Sequence, residues 1–122
     1  MSVADTALAL VRKLCLDYPD TEEKIAWGES TFRVKGRVFV MFANDHHGDG
    51  RIAVWCIAPE GAQRDLVAAE PKHFFVPPYV GKGGWIGMRL DTKLSKKGVA
   101  AIIEQAYRTA LAKVMEKKKR AR

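Results

Sequence analysis

Apolar residues recur at helical spacing from the start of the chain. Val3, Ala7, Leu10, Val11, Leu14 and Tyr18 fall on one face of a 3.6-residue period, which predicts an amphipathic helix over residues 3–18. Ser2 is placed to cap it, with Asp5 near the positive helix end. Pro19-Asp20 stops it. Residues 19–30 show no period and read as an acidic loop ending in Trp27-Gly28. From Thr31 to Lys35 the period becomes two, with Phe32 and Val34 on one side and Arg33 and Lys35 on the other, as in a half-buried strand. Gly36 permits a tight turn, and Arg37 to Ala43 returns as a strand apolar on both faces, the pattern of a central strand. Asn44 to Gly50 is a polar loop, and Arg51 to Ile57 is a third strand, completing an antiparallel meander.

Pro59 suits the first turn of a helix that runs to Glu70 and is ended by Pro71. His73 to Val76 reads as a fourth strand and Tyr79 to Gly84 as a glycine-rich turn. Trp85 to Leu90 is a fifth strand, with Trp85, Gly87 and Arg89 on one face and Ile86, Met88 and Leu90 on the other. Ser95 caps a closing helix marked by Val99, Ile102, Ile103, Ala106, Tyr107, Ala110 and Val114. This order predicts an α+β fold: a two-layer α-β(3)-α-β(2)-α arrangement with a five-stranded antiparallel sheet and helices packed mainly on one face. The other face is then free for solvent or binding, and Arg33, Lys35, Trp85 and Arg89 are expected there.

Composition narrows the class. With 122 residues, 48% of them hydrophobic and 29% charged, the chain fits one globular domain and not a disordered segment. Residues 1–112 read as that domain and residues 113–122 as a basic helix end or tail. No apolar run is long enough for a membrane span. Residues 1–5 lack the basic start of a secretory leader, and Cys15 and Cys56 are too few for a disulfide scaffold, so a cytoplasmic location is expected.

The net charge is +7, but Lys113, Lys117, Lys118, Lys119, Arg120 and Arg122, against Glu116, leave only +2 for residues 1–112. Within that part the signs segregate: residues 1–30 and 44–70 are acidic, whereas residues 31–43 and 71–99 are basic. Two basic blocks meeting in the fold would make a positive face suited to phosphates.

Two segments carry a recognisable pattern: Trp27-Gly28-Glu29-Ser30-Thr31-Phe32-Arg33-Val34, and Phe74-Phe75-Val76-Pro77-Pro78-Tyr79-Val80-Gly81-Lys82-Gly83-Gly84-Trp85-Ile86. With the acidic stretch before Trp27 and Tyr107 in the closing helix, the chain resembles the MmcQ/YjbR family over about residues 5–110. That resemblance implies a CyaY-like or secretion-chaperone-like fold with the same order of elements. It also implies a bacterial DNA-binding protein with a double-wing arrangement. The basic tail lies outside the common pattern.

The residues expected to meet phosphates are Arg33, Lys35 and Arg37 on the first hairpin, Lys82 between glycines, Arg89 on the last strand, and Lys117, Lys118, Lys119 and Arg120 in the tail. Tyr79 and Trp85 are candidates for stacking on bases, and Trp27 and Phe32 for lining a cleft with them. The glycine loop is not a P-loop, because no Gly-Lys-Ser/Thr leads into a helix. Asp45-His46-His47-Gly48-Asp49 has metal-ligand residue types, but adjacent loop histidines do not converge on one ion, and no metal or cofactor is expected. Asp17, Asp20, Glu22 and Glu23 are interrupted by Pro19, so no acidic iron-binding ridge is expected either. Cys15 and Cys56 fall inside regular elements, and Ser2, Ser30 and Ser95 lack a nucleophile elbow, so the chain reads as non-catalytic. The expected partner is DNA and no membrane is involved. One alternative is a protein-interaction or chaperone-like module that docks a partner protein on the open sheet face. A third reading is a small-ligand binder or enzyme in the Trp27, Tyr79, Trp85 cleft.

Overall fold

In the computed structural model, which describes residues 2–121, the first helix α1 (Val3–Leu16) opens with a reciprocal cap. The Asp5 N–H donates to the Ser2 hydroxyl at 3.0 Å, and the Ser2 N–H donates to the Asp5 carboxylate at 3.4 Å. Five strands and a helix follow: β1 (Thr21–Ala26), β2 (Glu29–Val34), β3 (Arg37–Asn44), β4 (Ile52–Cys56), α2 (Ala62–Ala69) and β5 (Phe74–Phe75). The chain closes with β6 (Ile86–Arg89) and α3 (Lys96–Arg120), the latter capped by Ser95 as expected. All strands join one sheet in the order β1-β2-β3-β4-β6-β5, with every neighbouring pair antiparallel. The class is α+β, with six strands where five were expected.

The additional strand is β1, in the stretch read as an acidic loop. It pairs with β2 over its whole length, from Thr21 opposite Val34 to Ala26 opposite Glu29. As an edge strand it keeps Glu22, Lys24 and Ile25 exposed, so no apolar alternation marks it. Charged side chains on such an edge also discourage pairing with other chains. A second correction concerns Pro59, which lies before α2 and not in its first turn. Gly61 adopts φ +85°, which breaks helical backbone between Pro59 and Ala62. A third is Trp85, which precedes β6.

Alternation along β3 separates two apolar clusters. Val40 and Phe42 point into the main core with Val34, Val54, Cys56, Ile86 and Met88, beneath Val11 and Cys15 of α1 and Ile103 and Ala106 of α3. Met41 and Ala43 point the other way and join Trp55, Phe75, Val80 and Trp85. Tyr107 ties α3 to the first connection: its hydroxyl donates to the Pro19 carbonyl at 3.0 Å, and its ring stacks on Tyr18 at 4.4 Å. Residue 112 lies inside α3, which runs unbroken to Arg120, so residues 113–120 of the basic end are helical.

Candidate functional site

Three basic segments distant in sequence meet at one end of the sheet. Lys35 and Gly36 form the two-residue turn between β2 and β3, both with the positive φ such a turn requires (49° and 85°). Arg37 follows it and faces the last turns of α3. Arg37, Lys82 and Lys113 line a groove of about 510 Å³, together with Glu60, Gly83 and Gly84. Arg37 also lines an adjoining hollow with Lys35, Lys117 and Lys118. Lys35 pairs with Asp20 at 3.2 Å. Among the described residues, no carboxylate lies within ion-pair distance of Arg37, Lys82, Lys113, Lys117 or Lys118.

The glycine loop is held from beneath. The Gln63 side-chain amide on α2 donates to the Gly81 carbonyl at 2.9 Å and the Trp85 carbonyl at 2.6 Å. The Gly81 and Gly84 N–H groups donate to the Pro77 and Gly81 carbonyls. Those two amides are therefore engaged within the loop, which presents the Lys82 side chain to the groove.

Other predicted cations stand apart. Arg89 makes a two-point pair with Asp91, at 2.8 and 3.1 Å, and that pairing holds the Asp91 carboxyl below the usual range. It lies opposite Ala53, at the end of β6 away from the glycine loop. Arg33 is half-buried and donates to the Thr31 hydroxyl at 3.3 Å. Arg120 pairs with Glu116, and Lys119 lines neither groove.

A second concavity lies on the sheet face opposite the helices. It encloses about 520 Å³ between Trp27, Met41, His46, His47, Trp55, Tyr79 and Val80. Met41 and Trp55, partners across β3 and β4, form its floor, where the Trp55 indole N–H is buried without a hydrogen-bond partner among the described residues. His46 lies edge-on to Trp55 at 5.2 Å, and its Nδ1 is 3.3 Å from a Glu29 carboxylate oxygen that also accepts from the Asn44 N–H.

The rim of this pocket is strained. Trp27, 68% exposed, adopts φ 56° in the β1–β2 turn. Tyr79, 74% exposed, adopts φ 65° and ψ −63°, and the Val80 N–H donates across it to the Pro78 carbonyl at 2.7 Å. That geometry is the rare, strained form of γ-turn. His47 adopts φ 55°. Sparsely populated backbone of this kind costs a residue with a side chain on the order of 1–3 kcal/mol, so three pocket residues are held at a cost in stability.

Of the predicted cleft, Trp27 and Tyr79 come together. Trp85 lines the basic groove instead, and Phe32 is fully buried in the main core. Met41, His46, His47 and Trp55 were not anticipated as lining. The histidine pair was noticed for its metal-ligand chemistry, yet no metal-ligating cluster forms among the described residues. Asp45 and Asp49 instead accept the Gly50 and Arg51 N–H groups and shape the loop. A further cleft of about 600 Å³, between α1 and the start of α3, is lined mainly by aliphatic residues with Ser2, Thr6, Lys13 and Lys96. Cys15 and Cys56 are buried, and burial pushes both thiols up, away from the reactive thiolate.

A family model described as YjbR matches residues 16–109. No curated protein matches the chain. Among solved structures, a Deinococcus radiodurans protein whose domain is described as DUF419 is similar in fold, with a TM-score of 0.67 at 17% identity over 80% of this chain and 72% of that one.

Proposed function

The chain belongs to the YjbR family, the MmcQ/YjbR family of the resemblance above, and from that premise we propose that it binds DNA through phosphate contacts at its basic end. The observation that carries the reading is the convergence of Lys35, Arg37, Lys82, Lys113, Lys117 and Lys118 from the hairpin turn, the glycine loop and α3. Cations so grouped displace the counterions of a nucleic-acid backbone and hold register without reading sequence. We read the chain as a binding protein and not an enzyme. Among the described residues no helix is long and apolar enough to cross a membrane. Docking of a partner protein on the sheet face is less well supported, because Phe75, Val80 and Trp85 pack over part of its apolar centre and what stays open is a concavity rather than a continuous apolar face.

The test is fluorescence anisotropy with a labelled DNA over a salt series. The expected result is salt-dependent binding whose log–log slope shrinks by about one for each of Arg37→Gln, Lys82→Gln and Lys113→Gln. Absence of binding, or a triple variant that binds like the native chain, overturns the reading.

A further inference from the structure

We propose that the pocket between Trp27, Met41, His46, Trp55 and Tyr79 receives one unstacked base of the nucleic-acid strand whose phosphates lie on the basic groove. The inference rests on the phosphate-binding reading and adds to it a preference for single-stranded or locally opened DNA. A base inside a duplex is stacked on both faces and cannot enter a recessed pocket without leaving the stack.

Three observations converge on a base as occupant. The first is continuity along one loop. Tyr79 and Val80 line the pocket, and Lys82, two residues on, lines the cationic groove. Gln63 bonds the Gly81 and Trp85 carbonyls on either side of Lys82 and so braces the segment that leads from the pocket to the charge.

The second is the placement of the rim aromatics. A two-residue hairpin turn with both φ positive favours Asn-Gly or Gly-Gly, yet residue 27 is a tryptophan at φ 56°. Its ring is mostly exposed and repays little of that strain by burial. Tyr79 repeats the pattern in its γ-turn. Two exposed aromatic rings held beside a cavity are what base stacking uses, because every base has a π-face.

The third is the floor. Met41 and Trp55, 6% and 3% exposed, pair across β3 and β4 as the apolar base of the pocket. A planar, uncharged ring such as a nucleobase can cover such a surface, whereas a charged group would lose its hydration there.

The experiment compares two fluorescein-labelled single strands of equal length, one with natural bases and one with abasic sugars throughout. Both carry the same phosphates. The intact strand is expected to bind the full chain roughly 10-fold tighter or more, the usual size of one base–aromatic contact, and to quench tryptophan fluorescence. Trp27→Asn suits the turn better than tryptophan, so it is expected to raise the melting temperature and still abolish the preference for the intact strand. Tyr79→Ala serves as a second variant, checked for folding by circular dichroism and expected to reduce the same preference.

Equal affinity for the two strands overturns the base pocket and leaves the phosphate reading standing. Failure of both strands to bind overturns the phosphate reading and the pocket with it. Quenching by a free nucleoside monophosphate, with no preference between the strands, overturns it in favour of a small-molecule site.

Discussion

The ring of Phe75 rests against Gly87, its partner across β5 and β6, in space that any other side chain would fill. A Cβ at residue 87 would meet three carbons of that ring inside van der Waals contact. The Arg51 guanidinium lies 4.0 Å from the centre of the same ring, which limits its retreat. Gly87 is also the register partner of Trp55, so this contact supports the floor of the aromatic pocket. Gly87→Ala is expected to destabilise the fold by about 1–3 kcal/mol through overpacking. Urea unfolding followed by circular dichroism measures it, and an unchanged midpoint would show that the ring yields freely.

Arg37 and Arg89 were equivalent candidates in the sequence, and the fold separates them. Arg37 faces Lys82 and Lys113, whereas Arg89 is spent on Asp91. Arg37→Gln is expected to weaken DNA binding and reduce the salt slope by about one. Arg89→Gln is expected to leave affinity and slope unchanged while lowering stability by up to about 1 kcal/mol, since the pair is partly exposed. Paired salt titrations of the two variants decide it.

Acid should loosen the attachment of α1 to β1. Glu23 accepts two hydrogen bonds from the Arg12 guanidinium, at 2.7 and 2.9 Å, and one from the Ser30 hydroxyl at 2.7 Å. Arg12 first, then Ser30, holds the Glu23 carboxyl below its usual range despite partial burial. A carboxylate depressed in the folded state contributes stability above its unfolded pKa and loses it as pH falls through the depressed value. Asp91, depressed by Arg89, acts in the same direction. Glu23→Gln is expected to cost about 1 kcal/mol near neutral pH, discounted for the exposure of Arg12. The difference from the native chain should vanish below the depressed pKa. Urea midpoints across an acid series give the result, and a constant difference at all pH would contradict it.

The central strands and both long helices were legible because their side chains alternate between unlike environments: Val40 and Phe42 against Met41 and Ala43, Val99 and Ile103 against the polar flank of α3. The first strand was not, because Glu22, Lys24 and Ile25 face solvent at a sheet edge and the segment is defined by its pairing with β2. The basic blocks were visible as runs of sign. Which cations would meet depended on the hairpin turn lying against α3, and on a carboxylate only two residues beyond Arg89. The aromatic pocket was half visible. Trp27 and Tyr79 stood out, but Met41 and Trp55 read as core, and His46 enters only because Asp45 and His47 adopt left-handed backbone and fold their loop over the sheet.

The buried thiols give a direct check on the core. Cys15 and Cys56 are both fully covered, and burial disfavours the thiolate at each. Only the thiolate attacks a disulfide reagent, so labelling of the native chain must wait for opening of the fold. Labelling with an aromatic disulfide reagent is expected to be slow in buffer and stoichiometric in urea. Rapid labelling of either cysteine in buffer would mean that α1 or β4 opens locally.

Gln63 offers a way to separate charge from its placement. Its side chain carries no charge and lines neither concavity, yet it bonds the carbonyls of Gly81 and Trp85 at the two ends of the loop bearing Lys82. Gln63→Ala removes both bonds and leaves those acceptors to water. A stability loss of about 1–2 kcal/mol is expected. If Lys82 acts from a fixed position, the variant should also bind DNA several-fold more weakly with an unchanged salt slope, because the number of cations is the same. Anisotropy at two salt concentrations separates this from Lys82→Gln, which should lower the slope itself. Binding by Gln63→Ala that equals the native chain would mean that the lysine reaches phosphate from a loop whose shape does not matter.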